Sequence, residues 1–145
     1  MNAKRIALAA SLALSGAAYA AEPDPDFTCS LRHPAKSADS LTRLPQPVRF
    51  YIQNSRPKIG AMADRGAFYN ATDVIVKPGP SNRFIRGGTI GDKYFLWYEH
   101  GGIAYWKTIV ILTADAAGAP AVVAEQNGGF PDGLCAATDA LVSRH

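Results

Sequence analysis

The side chains that could do chemistry in this chain are few and widely spaced. Three histidines occur, His33, His100 and His145, and no two stand at metal-ligand spacing. Glu99 and His100 are adjacent, offering a carboxylate and an imidazole, yet neighbouring strand residues point to opposite faces and can share a ligand only at a turn. A serine nucleophile in a Gly-x-Ser-x-Gly elbow is absent. Asp64, Asp73, Asp92 and Glu99 are the carboxylates from which an acid–base pair would come, and only their three-dimensional environments could make them one. No helix clearly follows Gly87-Gly88 or Gly101-Gly102, so they read as a strand bend and a hairpin turn rather than a phosphate cradle. The pattern points away from an enzyme: it assigns no catalytic residue, no metal ligand and no cofactor.

Two other groups mix charge, glycine and aromatics as binding surfaces do. One runs from Asp64 to Asp73 and carries Asp64, Arg65, Asn70 and Asp73 together with Phe68 and Tyr69. The other sets Arg83 and Arg86 beside Trp97, Tyr98, Glu99 and His100, an arginine-plus-aromatic combination common at binding hot spots. If the strands flanking Gly91-Asp92 pair, Arg86 lies near Leu96 or Trp97. A plainer role is open to each group: Arg83 or Arg86 can pair with Asp73 or Glu99 to fix the fold, and His100 at a hairpin tip is expected to be solvated. Asn70-Ala71-Thr72 matches a glycosylation sequon, read as coincidental beside a bacterial-type leader.

That leader sets the compartment. Lys4 and Arg5 precede an apolar run from Ile6 to Ala18, and Ala18-Tyr19-Ala20 supplies the small residues of a signal-peptidase site. Cleavage is expected after Ala20, giving an exported, periplasmic protein with a single mature domain over residues 21–145. The apolar run is too short for a membrane span, and no later one is long enough. Without Lys4 and Arg5, 13 basic residues face 12 acidic ones, and no Lys/Arg cluster marks a nucleic-acid partner. The two cysteines, Cys29 and Cys135, are expected to form a disulfide that closes nearly the whole domain. They lack Cys-x-x-Cys spacing, and no histidine lies beside either thiol.

The elements that must position these groups follow from periodicity. Residues 21–38 read as an irregular arm. Leu41, Leu44, Val48, Tyr51 and Ile52 recur at helical spacing, with Pro45 and Pro47 delaying the helix until Pro47. Asn54–Gly60 reads as a loop, residues 67–76 as interrupted extended structure, and Lys77–Pro80 as a turn. Between Arg83 and Gln126, four β-rich runs separated by Gly91-Asp92, His100–Gly102 and Ala114–Gly118 predict an antiparallel meander. Its middle strands are apolar on both parities, Phe95 and Trp97 against Tyr94, Leu96 and Tyr98, so both faces need cover. The short helix from Pro47 and a terminal helix carrying Leu134, Ala137, Ala140 and Leu141 can supply it. The expected fold is α+β: one domain, a curved antiparallel meander of about four to five strands with one or two short helices.

In size and class the chain resembles small, exported bacterial domains with one disulfide, a group that includes lysozyme inhibitors and immunity proteins against periplasmic toxins. The resemblance has no residue-level signature. It implies a binding or inhibitory protein that docks a periplasmic or envelope protein through the hairpin tips and the Asp64–Asp73 loop. The alternatives are a small-molecule carrier with an apolar pocket lined by Phe84, Tyr94, Tyr105 or Trp106, and a hydrolase of envelope polymers needing two carboxylates in one cleft.

Overall fold

Alternation along one central strand organises the molecule. The computed structural model describes residues 25–55, 59–75 and 77–145, so the leader expected over residues 1–20 lies outside the described residues. The chain runs α1 (Pro25–Thr28), β1 (Ala35–Ala38), a 3-10 turn (Leu41–Arg43), α2 (Gln46–Asn54), β2 (Met62–Ala63), β3 (Asn82–Ile90), β4 (Lys93–His100), β5 (Trp106–Ala114), β6 (Pro120–Gly128) and α3 (Gly133–Val142). Strands β3 to β6 form the expected antiparallel meander, and β1 and β2 both add to the outer edge of β3. The domain is α+β.

Both faces of the sheet are covered. Leu96 and Tyr98 of β4, with Phe84, Val110 and Leu112, pack against Val48 and Tyr51 of α2 and against Leu44. Phe95 and Trp97, with Ile85, Ile109 and Ile111, pack against Leu134, Cys135 and Leu141 of α3. Burial of such side chains contributes roughly 1.5–3 kcal/mol each, which makes these two seams the main source of stability. Trp97 needs a partner for its indole N–H in this dry setting, and Thr138 Oγ1 accepts it at 2.8 Å. Pro47 sits in the first turn of α2, where its missing N–H costs nothing.

The arm is more ordered than its composition suggests. Ala35–Ala38 lack any β-pattern but form an edge strand, because β3 offers glycine where the backbones meet. A Cβ on Gly88 would stand 2.0 Å from the Lys36 carbonyl oxygen. Further up the arm, the Asp139 carboxylate accepts the backbone N–H groups of Arg32 and His33. Cys29 and Cys135 are bonded, with S–S 2.09 Å and Cα–Cα 6.1 Å, which fastens the arm to α3. Residues 67–75 correct a second expectation: they form a loop with one isolated bridge, and the short strand in this region is β2. Of the Asn54–Gly60 segment, residues 56–58 lie outside the described residues.

The disulfide spans 106 residues, so reducing it should lower unfolding free energy by about 2–5 kcal/mol. Urea unfolding with and without reductant, followed by tryptophan fluorescence, measures this. A midpoint unmoved by reduction would show that packing alone secures the arm.

Candidate functional site

The hairpin joining β4 to β5 and the loop that follows β2 form one structure. Gly102 bridges Thr72, the Gly102 N–H donates to the Ala71 carbonyl at 3.3 Å, and the Gly101 N–H donates to Ser81 at 2.8 Å. Glycine is required at the join, since a Cβ on Gly101 would lie 2.1 Å from the Asn70 carbonyl oxygen. The loop keeps its shape through Asn70. Its backbone N–H donates to Pro80, and its Nδ2 donates to the carbonyls of Lys77 and Gly79, each at 3.2 Å. At 5% exposure, with Nδ2 committed twice, Asn70 does not present its sequon to solvent.

Beneath this join lies Glu99. Its side chain is 7% exposed and accepts from Arg83 Nε at 2.5 Å and from the Tyr105 hydroxyl at 2.7 Å. The Arg83 guanidinium in turn lies over the Tyr69 ring, 4.2 Å from its centroid. Burial first, then the charge of Glu99 and a hydrogen bond to it, push the Tyr69 phenol up to about 12. Arg83 and Glu99 thus take the fold-fixing pairing, and they hold both halves of the surface in place. Asp73 is exposed on the loop.

His100 points to the other face, as strand alternation requires. It is half-buried rather than solvated: the ring stacks on Trp106 at 4.1 Å between centroids, and Nδ1 meets Asn82 Oδ1 at 2.7 Å. Asn82 donates its Nδ2 to the Ile59 carbonyl, so its Oδ1 is the acceptor and His100 Nδ1 carries the hydrogen. Burial lowers the His100 pKa, favouring the neutral ring. Beside it is a cavity of about 140 Å³ lined by Asn82, Tyr98, His100, Trp106, Glu125 and Asn127.

The other anticipated residues lie elsewhere. Trp97 is fully buried and Tyr98 is a core residue, so neither presents its ring to a partner. Arg86 does pair with Trp97 across the ladder, its guanidinium 5.3 Å from the ring centroid, but it faces a cavity on the β3 edge together with Arg65. Asp64 accepts the Leu41 and Arg65 backbone N–H groups and serves as a local cap. What sequence reasoning missed is the rim of the hairpin end: Ile103 is 94% exposed, Ile75 73% and Val74 66%, with Phe68 and Tyr105 also open. The available signal was Ile103 directly after Gly101-Gly102, an apolar residue where a turn favours polar ones.

No group of three or more His, Cys, Asp or Glu side chains is placed to hold a metal ion among the described residues. No described helix is long and apolar enough to cross a membrane. Comparison with protein-family models, curated proteins and solved structures returns no match, so function rests on this geometry.

Two outcomes follow. Gly101→Ala should destabilise by about 1–3 kcal/mol and raise amide exchange at Gly102; a neutral substitution would mean hairpin and loop are not joined. A phenol raised from 10.0 to about 12 stabilises the fold fully below pH 10, and that contribution is lost as pH rises through 12. Ultraviolet titration should therefore show a late tyrosinate component that loses one tyrosine's amplitude in Tyr69→Phe, part of it remaining with Tyr51, which burial also raises; identical curves would remove the Glu99–Tyr69 coupling.

Proposed function

We propose that this chain is an exported binding or inhibitory protein that docks another envelope or periplasmic protein through its hairpin end. The observation that carries the reading is that exposed Ile103 follows Gly102 directly and exposed Val74-Ile75 follow Thr72 by two and three residues, so the Thr72–Gly102 bridge brings these apolar segments to one end of the sheet. Singly exposed apolar residues are ordinary, but several gathered at one end of a braced hairpin suit a docking surface. The Arg83–Glu99 pair and the Tyr105 hydroxyl hold that end rigid, which lowers the ordering cost of association. The arm and its disulfide leave this end clear, because they fasten at the opposite end of β3, residues 87–90, and on α3.

The alternatives find less support. Phe84 is closed in the core and Tyr105 is at the surface, so the aromatics suggested for a carrier do not share one pocket. Of the five principal cavities among the described residues, Trp106 lines the one of about 140 Å³, below the roughly 300–1,000 Å³ of ordinary ligand sites. For a polymer hydrolase, none of the five principal cavities is lined by more than one carboxylate.

The test is affinity capture from the envelope fraction of the bacterium that makes the protein, comparing the oxidised chain with Ile103→Asp and Val74→Asp. A single retained protein whose affinity falls at least about 30-fold in either variant, with circular dichroism unchanged, is expected. Retention that is identical across all three proteins would reject the hairpin end as the docking surface.

A further inference from the structure

The outer edge of β3 is filled at both ends and open in the middle. β1 pairs with residues 87–90 and β2 with Asn82 and Arg83, leaving the stretch 84–86 between them. There the ladder with β4 shifts register, so that Ile85 fills the α3-side core and Arg86 lies opposite Trp97. The Arg86 side chain lies on the Trp97 side of the sheet and borders a cavity of about 350 Å³ lined by Ser37, Ala38, Asp39, Arg43, Arg65 and Arg86. Three arginines and one aspartate are thus among the described residues that line it. The carboxylate, Asp39, is solvent-exposed and lies 3.5 Å from Arg43.

Arg86 is held ready for a ligand. Its Nε donates to Ser37 Oγ at 2.8 Å, its Nη1 donates to the Cys29 carbonyl at 2.8 Å, and the Trp97 ring lies beneath it. No Asp or Glu stands within ion-pair distance of it among the described residues. A half-buried guanidinium ordinarily has a carboxylate or phosphate for its fork; here Nη2 meets no acceptor among the described residues. Ser37 accepts from Arg86, which leaves its own O–H to donate into the same space. Burial, and then the charge of Arg65, lower the Arg86 pKa, a sign that two cations crowd one another there.

We infer that the cavity between β1, the 3-10 turn and Arg65 binds a phosphoryl group through Arg43, Arg65, Arg86 and Ser37. Among the described residues that line the cavity, Arg43, Arg65 and Arg86 outnumber Asp39, which suits an anion, and guanidinium groups from separate elements suit the tetrahedral oxygens of a phosphoryl group better than a planar carboxylate. The group belongs to a small soluble phosphate ester or to a phospholipid headgroup, which present the same chemistry. The site is separate from the hairpin end, so this inference stands or falls independently of the docking reading.

The test titrates the oxidised, full-length purified protein with inorganic phosphate and with glycerol phosphate, following backbone amides and arginine Nε–H signals by NMR. Sodium acetate at matched ionic strength is the control. Saturable shifts at Ser37, Arg43, Arg65 and Arg86 are expected, with dissociation constants of about 1 mM or tighter. Arg86→Lys should weaken binding about tenfold or more by removing the fork, and Arg43→Gln, on an exposed side chain that the core does not use, at least about threefold. Pelleting with vesicles of phosphatidic acid in phosphatidylcholine, competed by glycerol phosphate, assigns the headgroup. Glycerol phosphate binding without pelleting assigns the soluble ester. Absence of saturable shifts, equal shifts with acetate, or affinity unchanged in Arg43→Gln overturns the inference.

Discussion

Everything in this structure depends on a strand that is apolar on both sides. β4 sends Phe95 and Trp97 one way and Leu96 and Tyr98 the other, and all four are buried. A sheet built around such a strand cannot leave either face to water, so it recruits α2 to one side and α3 to the other. Neither helix is long, and nine or ten residues would be marginal as isolated helices. Their stability comes from the seam they cover. The arm then follows α3, since Asp139 and Cys135 on that helix hold Arg32, His33 and Cys29.

The polar interior is concentrated where β4 ends. Glu99 and His100 leave the core in opposite directions, and each is satisfied by residues from other elements: Arg83 and Tyr105 around the carboxylate, Asn82 and Trp106 around the imidazole. Buried polar groups satisfied in this way specify one arrangement of loops, because any other leaves a charge or a donor without its partner. The hairpin end is therefore rigid at its base and apolar at its rim. That combination separates a surface shaped for contact from a loop that is merely long.

How much of this could be read from sequence follows from the range of the forces involved. The meander, its turns and the two helices were legible, since alternation, Gly91-Asp92 and helical spacing act over a few residues. The disulfide was legible because there were only two cysteines to join. Strand β1 was not, as Ala35–Ala38 become a strand only through the approach that Gly88 permits. The loop around Asn70 misled for a related reason: its β-branched and aromatic residues suggested a strand, while one amide side chain captured the carbonyls and curled it. For the site, sequence offered Glu99 as one of two partners for Arg83 or Arg86 and Trp97 as one of two neighbours for Arg86, and the structure selects Arg83–Glu99 and Arg86–Trp97. It put Trp97 on a surface and joined Arg86 to the hairpin tip, since which face a helix will cover, and where a bulge re-aims a strand, are decided by tertiary packing.

The bond between Cys29 and Cys135 also carries information about time. Cys29 emerges early in synthesis, and Cys135 follows β6, so the two thiols can meet only after every strand of the sheet has been delivered. Closure of the bond is then a record that synthesis has passed β6 and reached α3. A copy truncated before Cys135 would keep a free thiol at Cys29 and an unfastened arm, marking it for disulfide exchange or proteolysis while copies that reach Cys135 are sealed.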